Sequence, residues 1–488
     1  MTESTQSSAA DKEATPATTS AGQATPATRT TPATKPALTD KQQAILENAS
    51  KEELNGWQYI HVKGEPYEIG FQHGYLLVDE FRDAIRVYRH MTEESFGMTY
   101  DFFVDAAVRM HKPIIERDFK EYYDEMQGMA DGFTAGGFPT TLDDVIGWNA
   151  WMEMTGYWWP QVASQYTNNP PARTSHCTGF VATGSATVDG RPVIAHESFD
   201  EFWSGQYFNV CEVIEPTHGN TIKMQTVPGY IASMMDFYVT SAGLGVTETT
   251  LAGFVGYDTT KAPEYVRARK ATQYANSIDE WIGIEDKDNN GGYANIWMLV
   301  DTKTGEICRF EEGLKHREVL KTTDGYFYGC NAAHNPQIRN LECVDNGYND
   351  VRQQTGARRA RLEQLLPEVN GQIDDDMAKT ILADKFDPYL GYECASSRDI
   401  CAHYDVDPQY FADDPSAVWN IPFYPAGSVD GKCADANDIE HLRMWGIFGR
   451  ADGEPFDAER FMKQHPQWNW QEGYLKSRPS QPWTLFAE

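Results

Sequence analysis

Two hydrophobic periods divide the chain. From about residue 40 to 160 the apolar residues recur at helical spacing. EPYEIGFQHGYLLVDEFRDAIRVYRHM carries Pro66 in a first-turn position and Ile69, Leu76, Leu77, Phe81 and Ile85 along one side. Gly70 and Gly74 stand four apart, so they share a helix face and predict a closely packed neighbour. FKEYYDEMQGMADGF and WNAWMEMTGYWWP predict two further helices, the last ended by Pro160. Upstream, Thr39-Asp40 predicts a helix N-cap before KQQAIL.

Beyond Thr174 short β-branched and aromatic runs take over: TGFVAT, RPVIAH, YFNVCEVI, TIKMQTV, DFYVTSAGLGVTETTL, ANIWMLVD, GEICRFEE and YFYGCN. Turn signals separate them, including Asp189-Gly190 and Lys303-Thr304-Gly305. These runs predict antiparallel sheet. Helical spacing returns in TGARRARLEQLL and near DDDMAKTILA. Helices, then many strands, then more helices predict an α+β protein with layered sheets. Residues 1–40 are rich in Thr, Ala, Pro and Ser, and repeat TPAT three times. That composition buries too little apolar surface to offset ordering, so a disordered tail is expected.

Composition narrows the function classes. The 488 residues are 41% hydrophobic and 12% aromatic, enough for a sizeable core. The formal net charge of -31 repels phosphate backbones, so nucleic acid is not an expected partner. No apolar run reaches the roughly 18–20 residues of a membrane span, and no integral membrane contact is expected. The amino terminus lacks a basic start and an apolar stretch, which predicts a cytoplasmic protein. Eight cysteines (177, 211, 308, 330, 343, 394, 401 and 433) form no Cys-x-x-Cys pair, and free thiols are expected. DKDNNGG matches the opening of a calcium loop but has Trp297 where the closing Glu belongs, so it reads as a polar turn.

One stretch carries candidate chemistry. SHCTGFVATGSATVDGRPVIAHESFDEF sets Cys177 among small and polar neighbours and returns to His196. A nucleophile needs a base within hydrogen-bond reach and donors for the oxyanion. A two-residue turn at Asp189-Gly190 would set His196 opposite Thr183, six positions and about 20 Å from Cys177. Either TGSATVDGR loops out, with breaks at Gly184 and Ser185, or His196 is not adjacent. His73, in GFQHG, and His334, in CNAAHNP, are competing bases that read better as structural residues.

These residues carry a resemblance. HCTGFVATG, the Asp-Gly turn and VIAHESF resemble the nucleophile hairpin of the N-terminal-nucleophile hydrolases, and more narrowly the phospholipase B-like proteins, alongside the penicillin-acyltransferase and choloylglycine-hydrolase groups. GWQYIHVKGEPYEIGFQHGYLL, EMQGMADGF, DFYVTSAGLGVTETTL and ANIWMLVD extend it over most of residues 56–480. The resemblance implies a four-layer αββα sandwich: a tail at 1–40, a helical pro-region at 41–176, and a hydrolase chain at 177–488. It implies self-cleavage between His176 and Cys177, so that the new α-amine serves as base and Cys177 begins a chain at a sheet edge with its thiol in a cleft. It further implies that His196 orients substrate or nucleophile. Thr250 would lie beside the oxyanion, Asn295 would donate to it, and Arg358, with Arg361 as rival, would depress the thiol pKa. Phe199 stands where the acyltransferase and choloylglycine groups carry an Asp, with Asp200 one step on, which favours the phospholipase B-like branch. The implied activity is hydrolysis of an amide or ester in an acylated small molecule or lipid through a thioester, with no metal or organic cofactor. Acyl transfer from the same intermediate, or carbohydrate binding on an inert scaffold, are the alternatives. Trp158, Trp159, Phe202 and Trp203 either line an acyl pocket or pack between layers.

Overall fold

The computed structural model describes residues 36–168, 177–344, 347–408 and 421–487. The TPAT repeats, His176 and the first 35 residues of the expected tail lie outside them. From Pro36 onward the chain forms one compact unit.

Among the described residues eighteen strands build it. They are β1 (Ser50–Leu54), β2 (Trp57–Gly64), β3 (Cys177–Thr183), β4 (Val193–Glu201), β5 (Val210–Pro216), β6 (Ile222–Thr226), β7 (Phe237–Thr240), β8 (Leu244–Thr250) and β9 (Asn295–Asp301), then β10 (Glu306–Glu312), β11 (Arg317–Thr322), β12 (Gly325–Gly329), β13 (Phe386–Asp387), β14 (Tyr392–Glu393), β15 (Ala426–Ser428), β16 (Asp430–Asp435), β17 (Met444–Phe448) and β18 (Thr484–Phe486). One sheet runs β1-β2-β5-β6-β7-β8-β9-β10-β11, and a second runs β12-β3-β4-β16-β17-β18 with β15 against β4. Within these two sheets only the β2–β5 pairing is parallel.

Alternation along the strands makes the layers. Val181 and Ile194 meet Phe237, Val239, Met298 and Val300 in a core between the two sheets. Phe180, Ala182, Val193 and Ala195 point the other way, onto Leu362, Leu366, Ile381 and Leu382 of the helices Gln354–Glu368 and Asp375–Leu382. On the far side Val246, Trp297 and Leu299 pack against Ile69, Ala268, Ala271 and Trp281 of the helices Pro66–Leu76, Glu264–Tyr274 and Ile278–Glu285. Helix, sheet, sheet, helix is the α+β sandwich that the resemblance implies. Each fully buried Val, Ile or Met adds about 1.5–3 kcal/mol.

Local signals were good guides. Thr39 caps the helix Asp40–Leu46, with Gln42 completing a capping box. Pro66 opens its helix. Other readings need correction. GWQYIHVKG, taken as helical, is strand β2, because the parallel edge of β5 recruits it. The long helix after Pro66 breaks at Leu77 and resumes as Val78–Phe96. Pro160 does not end its helix. A π-helical turn over Met154–Trp158 leads into Trp159–Val162, where the proline occupies the first turn and its missing N–H costs nothing.

The glycine stripe does what its spacing predicts. A Cβ at Gly70 would stand 1.8 Å from the Glu125 carbonyl oxygen, and one at Gly128 would stand 2.1 Å from that of Tyr67. The helices Pro66–Leu76 and Lys120–Ala135 touch backbone to backbone. Gly70→Ala is therefore expected to lower stability by about 3 kcal/mol in urea unfolding, the upper end for forced overpacking. Gly283→Ala, in a helix with nothing within 4 Å of the new methyl, is the control and should raise it by about 0.5–1 kcal/mol.

Candidate active site around Cys177

The β3–β4 hairpin turns through the nine residues 184–192, which open with a 3-10 turn at Gly184–Ala186. The looped-out alternative is therefore the right one. Cys177 pairs with Ser198 and Gly179 with His196. Since i and i+2 share a face, Cys177, Gly179, His196 and Ser198 all point between the sheets, on the side of Val181 and Ile194. Gly179 makes the room: a Cβ there would stand 2.9 Å from Met298 Cε and 3.3 Å from His196 Cδ2. One ligand-type atom each of Cys177, His196 and Glu248 lies within 4.8 Å of the others.

The expected sheet edge and open cleft are not found. β3 is an interior strand between β12 and β4, and the Cys177 side chain is buried. What is open is the strand end: β12 stops pairing at Gly179. The main chain of Cys177 is held there by side chains instead. Its N–H donates to Asn331 Oδ1 (3.1 Å), and its carbonyl accepts from Arg358 Nη1 (2.6 Å). Arg358 also donates to Thr178 Oγ1 (3.0 Å) and to Asn331 Oδ1 (2.8 Å). Asn331 Nδ2 donates to the carbonyl of Thr250 (2.9 Å). The Arg358 guanidinium lies 4.7 Å over the Phe199 ring, so the residue that replaces the expected Asp serves as a cation–π platform.

Arg358 and Thr250 are thus brought to Cys177, one directly and one through Asn331. Arg361 is not: it pairs with Asp384 (2.6 Å). Asn295 pairs with Thr250 across β8 and β9, and its amide atoms make no hydrogen bond. The asparagine that touches Cys177 is Asn331, which the sequence reading passed over. Its only sequence signal is a position after YFYGC where it takes a left-handed conformation (φ 68°), one that asparagine tolerates. His73 is structural, as read: Nδ1 meets Glu212 Oε1 (2.8 Å), and Nε2 accepts the Gly229 N–H (2.7 Å). His334 sits against the Tyr328 carbonyl (3.2 Å), and burial lowers its pKa to about 3. DKDNNGG is a polar turn, with Asn289 and Asn290 accepting from Gly291 and Gly292. Trp159, Phe202 and Trp203 pack in the largest core.

The electrostatics invert one expectation. The Cys177 thiol is pushed well above its usual range, first by burial and then by the charges of Glu248 and Asp236, with Lys432 opposing them. Lys432 is itself buried, bonded to Asp430 and Ser198 at 2.7 Å each. Burial, reinforced by Lys432, keeps His196 neutral. Glu248 accepts from the thiol at 3.8 Å. The Tyr293 hydroxyl lies 2.7 Å from Asp236 and 3.2 Å from Glu248. Burial raises both carboxyls, Glu248 to about 7, and they share a proton.

Arg358→Lys keeps the charge but loses the fork that bridges Cys177, Thr178 and Asn331, and urea unfolding should register a loss of about 3 kcal/mol. Arg361→Lys, at a part-exposed pair, should cost about 1 kcal/mol or less.

Among the described residues no helix is long and apolar enough to cross a membrane. Comparison with known proteins places the chain in a family. The chain is 26% identical to a phospholipase-B of Drysdalia coronoides over 49% of its own length and 44% of that protein's. It is 27% identical to phospholipase B-like 1 of Homo sapiens over 50% of its length and 45% of that protein's. The matched part thus spans less than half of these curated relatives. Among solved structures, a mutant of the conjugated bile acid hydrolase of Clostridium perfringens aligns with 56% of this chain and 89% of that one, at 11% identity and a TM-score of 0.32. The description of the Phospholipase B family matches residues 117–481, most of the chain, and the chain belongs to that family.

Proposed function

We propose that the protein is a self-processing cysteine hydrolase of the N-terminal-nucleophile type, acting on an amide, or an ester, of an acylated small molecule or lipid. The observation that carries this reading is the grip on the Cys177 main chain. Asn331 holds its nitrogen and Arg358 its carbonyl, while its thiol faces Glu248 and His196. A residue whose nitrogen atom is positioned as carefully as its sulfur is one whose nitrogen has work to do.

In the precursor that nitrogen is an amide. Attack of Sγ on the carbonyl carbon of His176 moves the acyl group from nitrogen to sulfur. Water then cleaves the thioester and leaves a free α-amine on Cys177. An α-amine titrates near 7.7–8.0 and a thiol near 8.5 in water; here burial, Glu248 and Asp236 raise the thiol, so the Sγ proton passes to the amine of the same residue as sulfur approaches the acyl carbon. Asn331 Oδ1 accepts one amine hydrogen and orients the lone pair toward sulfur. The thiolate attacks the acyl carbon, the ammonium returns its proton to the leaving group, and the thioester forms. Water, relieved of a proton by the amine, releases the acid. The amide of Asn295, with no bond of its own, is a spare donor for the oxyanion. The family name favours a lipid among the possible acyl substrates.

The test is the intact mass and amino-terminal sequence of the purified protein beside a Cys177→Ala variant. Two chains in the wild type, one starting Cys-Thr-Gly-Phe, and a single chain in the variant are expected. An uncut wild-type chain would remove the mechanism.

A further inference from the structure

We propose that Cys177, His196 and Glu248 form a binding site for a zinc-like divalent cation, which would lock the nucleophile. Their ligand atoms lie within 4.8 Å of one another, and all three side chains are buried. Cys177 Sγ and Glu248 Oε1 are 3.8 Å apart. Zinc–sulfur and zinc–oxygen bonds of about 2.3 and 2.0 Å at a tetrahedral angle set those atoms about 3.5 Å apart. The thiol and carboxylate therefore already stand near the spacing of two corners.

The third corner is held by no side chain. No side chain hydrogen-bonds to either ring nitrogen of His196, which meets only the Glu248 backbone, while the Glu248 carboxyl shares a proton with Asp236. Buried polar atoms of this kind call for a partner. The three ligands come from β3, β4 and β8, so two sheets fix their geometry, and the Tyr293 hydroxyl lies 3.2 Å from the Glu248 oxygen that faces the thiol. Thiolate, imidazole and carboxylate are a borderline set that suits Zn²⁺ and leaves a fourth position for water. On binding, the Sγ proton passes to solvent and sulfur's lone pair goes to the metal, so attack on an acyl carbon is blocked. This inhibition rests on Cys177 being the nucleophile; the binding does not. The ligands lie 19 and 71 residues from Cys177 in sequence, which is why cysteine spacing did not reveal them.

A second cluster, Cys401, His403 and Asp452, has similar spacing. There both imidazole nitrogens are taken, by Asp399 (2.8 Å) and Asp452 (3.1 Å), and Lys385 adds an ammonium at 2.9 Å. Protons already do what a metal would do.

The test is titration of the chelator-stripped full-length protein with Co²⁺, read by the near-ultraviolet thiolate-to-cobalt absorption, with Zn²⁺ as competitor. One equivalent should bind. The band should vanish in Cys177→Ser and persist in Cys401→Ser, and Glu248→Gln and His196→Gln should each weaken binding at least about tenfold. Near-ultraviolet circular dichroism checks each variant's fold, and either of the last two, folded, suffices should Cys177→Ser misfold. No band in the wild type, or a band that follows Cys401, overturns the site. A gel of the same sample separates the two proposals: an uncut chain with the band retires the hydrolase and keeps the metal site, and a cut chain without it does the reverse.

Discussion

The Cys177 main chain sits where three parts of the fold meet, and the Arg358–Asn331 bridge holds them together. Arg358 comes from a helix on the outer face of the seven-stranded sheet, Asn331 from the turn after β12, and Thr250 from the end of β8 in the other sheet. Five hydrogen bonds, all buried, run through these groups to Cys177 and Thr178. Such bonds are worth more inside a protein than in water, and an orphaned partner costs more. These bonds hold the strand end where β12 no longer pairs with it.

Around this bridge the sandwich buries charges that a purely structural core would avoid. Lys432 pairs with Asp430, which also accepts from Gln225 (2.8 Å), and Asp236 and Glu248 lie carboxyl to carboxyl. Replacing such groups with apolar ones is often neutral or stabilising in other proteins. Their concentration beside one thiol, and the perturbed protonation that results, is the pattern of a reactive site.

Local features were legible in the sequence. The Thr39 cap, Pro66 at a helix start, the Gly70 and Gly74 stripe and eight of the strand runs each depend on residues a few positions apart. The hairpin was half legible: the geometric check required a longer turn, and the turn is longer. What was hidden depends on distant partners. β2 reads as helical until β5 lies beside it. Asn331 looks like any loop asparagine until β12 carries it to Cys177. Glu248 and Asp236 vanish among the many carboxylates of an acidic chain. Arg358 was named through family resemblance, and a sequence does not say that its guanidinium would meet the Cys177 carbonyl.

The most direct test of the account is to trap the acyl group. The protein would be mixed with an acyl-amide or lysophospholipid panel, quenched in acid within milliseconds, and digested for mass spectrometry. The account predicts an acyl mass on a peptide that begins at Cys177, labile to hydroxylamine as a thioester is, with a free α-amine. Turnover of the substrate with the acyl group on another residue, or with none on the protein, would contradict it.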